Sequence, residues 1–176
     1  MRAYSRGVTL IEMLTVVSVV AVLSFLAVPS LAGLRSDASR TAVVNQFFHA
    51  LFVARSESIK RGKVVSLCKS MDGSTCVHRG VDWTVGWIVF VNADRDELPV
   101  RDPNEILIAV YDGWRTGRIT SNRLAYSFRP YTQGVVNGTI TFCDFRGADH
   151  ARAIIVSHTG RPRVARRDSS GGPLRC

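Results

Sequence analysis

The feature that most constrains this chain is an apolar run close to its amino terminus. Residues 13–34 carry no charge, whereas the rest of the sequence is polar and dense in arginine. Upstream, residues 1–7 read M-R-A-Y-S-R-G, with Arg2 and Arg6 as the only charges, and the run opens with Val8-Thr9-Leu10-Ile11-Glu12. An apolar stretch of this length reads as a membrane-spanning helix. The two arginines ahead of it hold the leader in the cytoplasm and put the carboxy-terminal part on the other side. A secretory signal carries its apolar region before a small-residue cleavage site. Here the small residue, Gly7, comes first, so cleavage after it leaves the apolar segment on the mature chain.

Glu12 is the anomaly in this segment. A carboxylate in a membrane helix costs on the order of 2.5–3.5 kcal/mol on insertion scales, so it calls for a partner. The Val8 amine, freed by cleavage after Gly7, is chemically suitable. Within one chain the two groups sit at the helix start, where the dipole also favours a carboxylate. Between chains, Glu12 of one subunit would neutralise the Val8 amine of the next and set axial register in an apolar filament core.

The spacing predicts one helix from Val8 to about Arg61, apolar as far as Leu34 and amphipathic afterwards. Pro29 removes a backbone hydrogen bond and is expected to bend it. Val44, Phe47, Leu51, Ala54 and Ser58 recur at helical spacing, with Phe48 and Ile59 beside them. Arg35, Arg40, Asn45, Gln46 and His49 occupy much of the other side, and Gly62 supplies a helix stop. Beyond it the pattern has period two, which predicts strands near 63–69, 85–92, 105–112, 123–129, 138–144 and 151–158, and a short one after Gly160. A chain of 176 residues has room for one globular domain and one long extra element. The expected fold is α+β: a long helical spine, apolar anchor then amphipathic, packed on an antiparallel β-sheet domain. Its expected divisions are a leader at 1–7, a transmembrane or filament-core helix at 8–34, an amphipathic helix at 35–61 and a β-domain at 62–176.

The four cysteines, Cys68, Cys76, Cys143 and Cys176, all follow the apolar segment, and in an exported domain they form two disulfides. The short gap between Cys68 and Cys76 favours one local loop and leaves Cys143 for Cys176, although three connectivities are formally possible. A zinc site using Cys68, Cys76 and His78 lacks Cys-x-x-Cys spacing. The run Asn92-Ala93-Asp94-Arg95-Asp96 has the alternating oxygens of a calcium loop, but Glu97 stands where the glycine belongs and Pro103 where the bidentate glutamate belongs. His49, His78, His150 and His158 show no metal spacing. No Ser/His/Asp order, phosphate-binding glycine loop or spaced carboxylate pair stands out, so neither an enzyme nor a cofactor or metal is expected.

The formal charge of +9 and pI near 10.1 come chiefly from arginine. Overall composition and anion recognition both account for that excess; local clustering distinguishes them. Gly160-Arg161-Pro162-Arg163-Val164-Ala165-Arg166-Arg167 holds four arginines and no acid. Gly160 allows a tight turn, and Pro162 stiffens the segment while removing a ladder donor. In an extended segment Arg161 and Arg163 point the same way. Such a pair, with Arg166 and Arg167 nearby and Arg152 on the preceding strand, is suited to gripping adjacent phosphates.

Gly7-Val8-Thr9-Leu10-Ile11-Glu12 resembles the prepilin peptidase motif of type IV pilins and type II secretion pseudopilins, and Pro29 falls where those families place a helix-kinking proline. The resemblance implies cleavage after Gly7, N-methylation of Val8 and a role for Glu12 in assembly. Val53-Ala54-Arg55-Ser56-Glu57-Ser58-Ile59-Lys60-Arg61 and Val64–Cys68 look like the helix end and first strand of the GspH/FimT family. Trp83, Gly86–Phe90, Asn92/Asp94/Asp96, Thr141–Asp144 and Arg152–Ser157 are similar as well. These are minor subunits found near filament tips. Gly160-Arg161-Pro162-Arg163 resembles the GRxR motif of FimT-type minor pilins that bind DNA in natural transformation. The implied partners are a prepilin peptidase, other minor and major pilins, the inner membrane and double-stranded DNA held by its phosphates. The implied location is a single-pass inner-membrane protein with a periplasmic domain, and after assembly an extracellular pilus tip. The alternative is a purely structural minor pilin, or a type II secretion minor pseudopilin of the H type, without DNA binding. If all four arginines from 161 to 167 contact phosphates, log affinity should fall with log salt at a slope of about −3.6. A titration between 50 and 200 mM salt should then show a loss of roughly 150-fold.

Overall fold

A computed structural model of the chain describes residues 7–131 and 137–176, with the side chains of residues 26–30 outside that description. The leader residues 1–6 and the side chain of Pro29 lie outside the described residues. The chain forms two compact units, Met1–Ala38 and Ser39–Cys176. Helix α1 runs from Leu10 to Arg61. In the first unit its apolar side chains from Leu10 to Phe25 are exposed on every side, and Ser18 and Ser24 return their hydroxyls to the carbonyls of Leu14 and Val20. Among the described residues no helix is long and apolar enough to cross a membrane. This corrects the expected transmembrane helix at 8–34, and with it the single-pass inner-membrane topology and the anchor part of the expected fold. A span takes about 20 predominantly apolar residues. Glu12, Thr15, Ser18 and Ser24 stand among the apolar side chains from Leu10 to Phe25.

In the second unit α1 buries the stripe Val43, Val44, Phe47, Ala50, Leu51, Ala54 and Ser58. These positions recur every three or four residues and so share one face. The helix stops where Gly62 takes φ 64°, a left-handed conformation that glycine adopts without a side-chain clash. Among the described residues eight strands follow: β1 Val65–Lys69, β2 Gly86–Val91, β3 Leu107–Asp112, β4 Gly117–Ser121, β5 Ala125–Phe128, β6 Gly138–Asp144, β7 Arg152–Val156 and β8 Pro162–Ala165. They form two four-stranded antiparallel sheets, ordered β3-β2-β1-β5 and β4-β6-β7-β8. Strand β4 is the element the alternation does not announce. Its sequence, Gly-Arg-Ile-Thr-Ser, offers one fully buried apolar residue, Ile119, and its amide is held by the Thr84 hydroxyl at 2.8 Å.

Phe47 of α1 sits where the helix and both sheets converge. Its ring lies 4.8 Å from that of Trp87 on β2, 5.3 Å from Trp83 and 5.8 Å from Phe142 on β6. Leu67, Val89 and Tyr126 of one sheet and Ile119, Ile140 and Ile154 of the other fill the same core. The outer face of each sheet carries its own small cluster and its own disulfide. Cys68–Cys76 lies with Ile88 and Phe90, and Cys143–Cys176 lies with Ala151, Ala153 and Leu174.

One buried charge cluster joins α1 to the second sheet. Arg40 and Asp144 form an ion pair at 3.0 Å with side chains 4% and 2% exposed, and Arg146 adds a second bond to Asp144 at 2.6 Å. The Arg146 hydrogen bond, reinforced by both positive charges and opposed by burial, holds the Asp144 carboxyl below its ordinary value. A depressed carboxyl pKa contributes stability above the unfolded value of about 3.9, and that contribution is lost as pH falls through the folded value. Asp144→Asn should therefore lower stability by about 3 kcal/mol at neutral pH. Urea titrations should show the deficit shrinking as pH drops below about 4. Gly113 meets a steric limit instead, since an added Cβ would stand 2.0 Å from the Thr84 carbonyl oxygen. Gly113→Ala should shift the unfolding midpoint by the equivalent of about 3 kcal/mol, the upper range for overpacking.

Candidate functional site

The arginine segment forms the last strand of the second sheet. Among the described residues β8 pairs only with β7, in the register Val156↔Pro162, Ile155↔Arg163, Ile154↔Val164 and Ala153↔Ala165. The turn between them spans Ser157–Gly160. It is closed by the Gly160 amide on the Ser157 carbonyl at 2.8 Å, and Gly160 takes φ 73°. The Ser157 hydroxyl accepts from the Arg161 amide at 3.2 Å and lies 2.8 Å from that of Thr159. Arg55 of α1 donates from Nη1 to the Thr159 carbonyl, which ties the turn to the helix.

Cross-strand partners point to the same face, and successive residues to opposite faces. Arg161 and Arg163 therefore share the face of Ile155, away from the main core. Both are exposed, as is Arg166, and none of the three forms an ion pair among the described residues. The other two arginines of the expected cluster are placed differently. Arg152 has the parity of Ile154 and Val156, so it lies on the opposite face, and its Nη1 donates to the carbonyls of Ala151 and His150 at 2.9 and 3.3 Å. Arg167 pairs with Pro173 and donates from Nη1 to the Gly171 carbonyl at 3.1 Å. Asp168 organises that tail loop, accepting from the Ser170 amide and hydroxyl and the Gly172 amide at 2.7–2.9 Å. Those bonds, led by the Ser170 hydroxyl, hold its carboxyl below the ordinary range. The structure thus groups Arg161 and Arg163 on one face, leaves Arg166 exposed nearby, and commits Arg152 and Arg167 elsewhere. Arg55, which positions the turn, has no signal in the sequence, because its partner is a backbone carbonyl more than a hundred residues away.

At the amino-terminal end Gly7 is exposed, with open space where a side chain would project. Thr9 precedes the first helical residue, and its hydroxyl accepts from the Glu12 amide at 3.3 Å. Thr9-x-x-Glu12 is the capping-box pattern, a helix-start signal that lies inside the peptidase-like motif itself. Val8 and Glu12 are both exposed.

Among the described residues no group of three or more His, Cys, Asp or Glu side chains could hold a metal ion. In the Asn92–Asp96 loop Asn92 Oδ1 accepts from the Arg95 amide at 2.8 Å, and Asp96 Oδ2 from the Val100 amide at 3.3 Å. A hydrogen bond between Asp94 and Asp96 pushes the first carboxyl up and the second down. A cleft of about 680 Å³ is lined by Thr84, Val85, Asp112, Trp114 and Arg115 and presents no nucleophile beside a base.

The Cys143–Cys176 disulfide closes a loop of 33 residues that contains β7, β8 and the tail. In the chain-entropy account such a loop contributes about 3–4 kcal/mol. The double variant Cys143→Ser/Cys176→Ser should lose about that much in urea unfolding. It should also lose amide protection at Leu174.

The sequence model of the family described as Type II transport protein GspH matches residues 43–160. Two crystal structures of the type IV minor pilin FimU of Pseudomonas aeruginosa PAO1 share the fold, each with a TM-score of 0.54 and 20% identity. Each alignment covers 77% of this chain, and they cover 93% and 98% of the FimU chains. No curated protein matches significantly. The match to residues 43–160 spans the core stripe of α1 and strands β1 to β7, and by it the chain belongs to the GspH family of non-catalytic, pilin-like structural proteins.

Proposed function

We propose that the chain is a minor subunit of a pilin-like filament, either a type IV pilus or a type II secretion pseudopilus. The observation that carries this reading, beyond family membership, is the state of the first helical segment. Its apolar side chains are between 54% (Val16) and 83% (Phe25) exposed, around the whole circumference. A helix that is apolar all round requires burial by partners. Like segments of neighbouring subunits supply such partners. On this reading a prepilin peptidase cleaves after Gly7, Val8 becomes the methylated amino terminus, and Glu12 neutralises the Val8 amine of the adjacent subunit. Co-expression with a prepilin peptidase should yield a chain lacking residues 1–7 with a methylated Val8 by mass spectrometry. Glu12→Gln should leave the melting temperature unchanged while abolishing co-purification with the filament. An uncleaved chain, or full incorporation of Glu12→Gln, would sink the proposal.

A second function on the same protein is DNA binding by the β8 edge, favoured by the exposed, unpaired Arg161 and Arg163 on one strand face. With Arg166 as the third contact, the salt slope on duplex DNA should be about −2.7 rather than −3.6. Arg161→Gln/Arg163→Gln should remove most of that slope in fluorescence anisotropy. Equal binding by the double variant would exclude this reading and leave a purely structural subunit.

A further inference from the structure

A buried ammonium without a counter-ion stands at the end of β1. Lys69 is the last residue of that strand, and strand parity puts it on the inward side with Leu67 rather than with Cys68. It is 4% exposed, yet it forms no ion pair among the described residues. A lysine is almost never so buried unless it is paired. Its Nζ donates to the carbonyls of His78 at 2.7 Å and Val81 at 2.8 Å, which leaves one of its three N–H groups over. Burial pushes this ammonium below its ordinary value, and the Asp82 charge opposes that shift.

The two carbonyls bracket Arg79 and Gly80, so Lys69 fixes the loop that carries Arg79. Lys69, Arg79 and Arg123 line one cavity of about 380 Å³, together with Trp83 and Leu124. Arg123 is tied to that wall by its carbonyl, which accepts from Trp83 Nε1 at 3.1 Å. Its guanidinium holds only neutral oxygens, the Asn137 carbonyl at 2.6 Å and Asn137 Oδ1 at 2.8 Å. Neither Arg79 nor Arg123 forms an ion pair among the described residues. Asp82 is the only acid among the described residues of the cavity wall. It is already held by Arg118 Nε at 2.9 Å and by the Thr84 amide at 3.0 Å. Three cations thus share a cavity whose one carboxylate is bound to a fourth.

We propose that this cavity binds a small oxyanion, a phosphate or a carboxylate group, held by Lys69, Arg79 and Arg123. Lys69 supplies a buried point charge with a donor to spare. Arg79 supplies the planar fork that matches either group. No arginine of β8 lines the cavity, so the site is separate from the arginine edge.

The test titrates the full chain with sodium phosphate and, separately, with sodium acetate, each against sodium chloride at matched ionic strength. Thermal unfolding and amide NMR shifts are followed together. The expected result is a saturable rise in melting temperature, with shifts at the amides of Arg79, Val81 and Arg123. Arg79 is exposed and its side chain has no hydrogen bond among the described residues, so Arg79→Gln should leave the fold intact. That variant should weaken the apparent affinity about tenfold. Lys69→Met should abolish the saturable response; if it unfolds the chain, Arg79→Gln decides alone. A saturable response to either salt that Arg79→Gln weakens supports the site and names its oxyanion. No difference from chloride with either salt overturns it, as does an unchanged affinity in Arg79→Gln. A response lost in Arg161→Gln/Arg163→Gln but kept in Arg79→Gln assigns the anion to the β8 edge and overturns it too.

Discussion

The second unit depends on one side chain meeting two sheets. Phe47 touches Trp87 and Phe142, which belong to different sheets, so the helix is the common surface on which both are registered. Neither sheet alone covers the stripe from Val43 to Ser58, and without that stripe the inward faces of β2 and β6 have no shared floor. Each aromatic pair in this group adds about 0.5–1.5 kcal/mol beyond the burial of its area. The polar contacts follow from that placement. Arg40 reaches Asp144 at one end of the helical stripe, and Arg55 and Ser58 reach Thr159 and Phe128 at the other.

This arrangement explains how a structural subunit can carry a separate surface. The core stripe ends near Ser58, and the chain segments beside its last turns, the β7–β8 turn and the end of β5, emerge into solvent. Part of the outer face of the second sheet, the face that also carries Arg161 and Arg163, is occupied by the tail, which Leu174, the Asp168 loop and the Cys143–Cys176 disulfide hold in place. The tail therefore limits how far any partner could extend along β8 beyond Ala165.

The sequence made the amphipathic half of the helix readable residue by residue. Val44, Phe47, Leu51, Ala54 and Ser58 are buried, while Phe48 and Ile59 at the margin are not. Gly62 marked the end because only a residue without a side chain enters that turn freely. Strand β4 stayed hidden because Ile119 alone carries its burial, and one apolar residue makes no alternation. The apolar run before Leu34 suggested a span by its lack of charge, whereas among the described residues no helix is long and apolar enough to cross a membrane. The arginine cluster was visible as composition but not as geometry. Strand parity separates Arg152 from Arg163, and Arg167 turns to Gly171 through a loop whose shape Asp168 sets.

Pro162 has a consequence for how this protein associates. β8 is one of the two borders of its sheet, and an open border invites another strand, leading to uncontrolled sheet-to-sheet stacking between copies. A proline there has no amide hydrogen to offer, and arginines on either side repel a second copy of the same strand. Pairing between copies of this chain through the β8 border is thereby disfavoured.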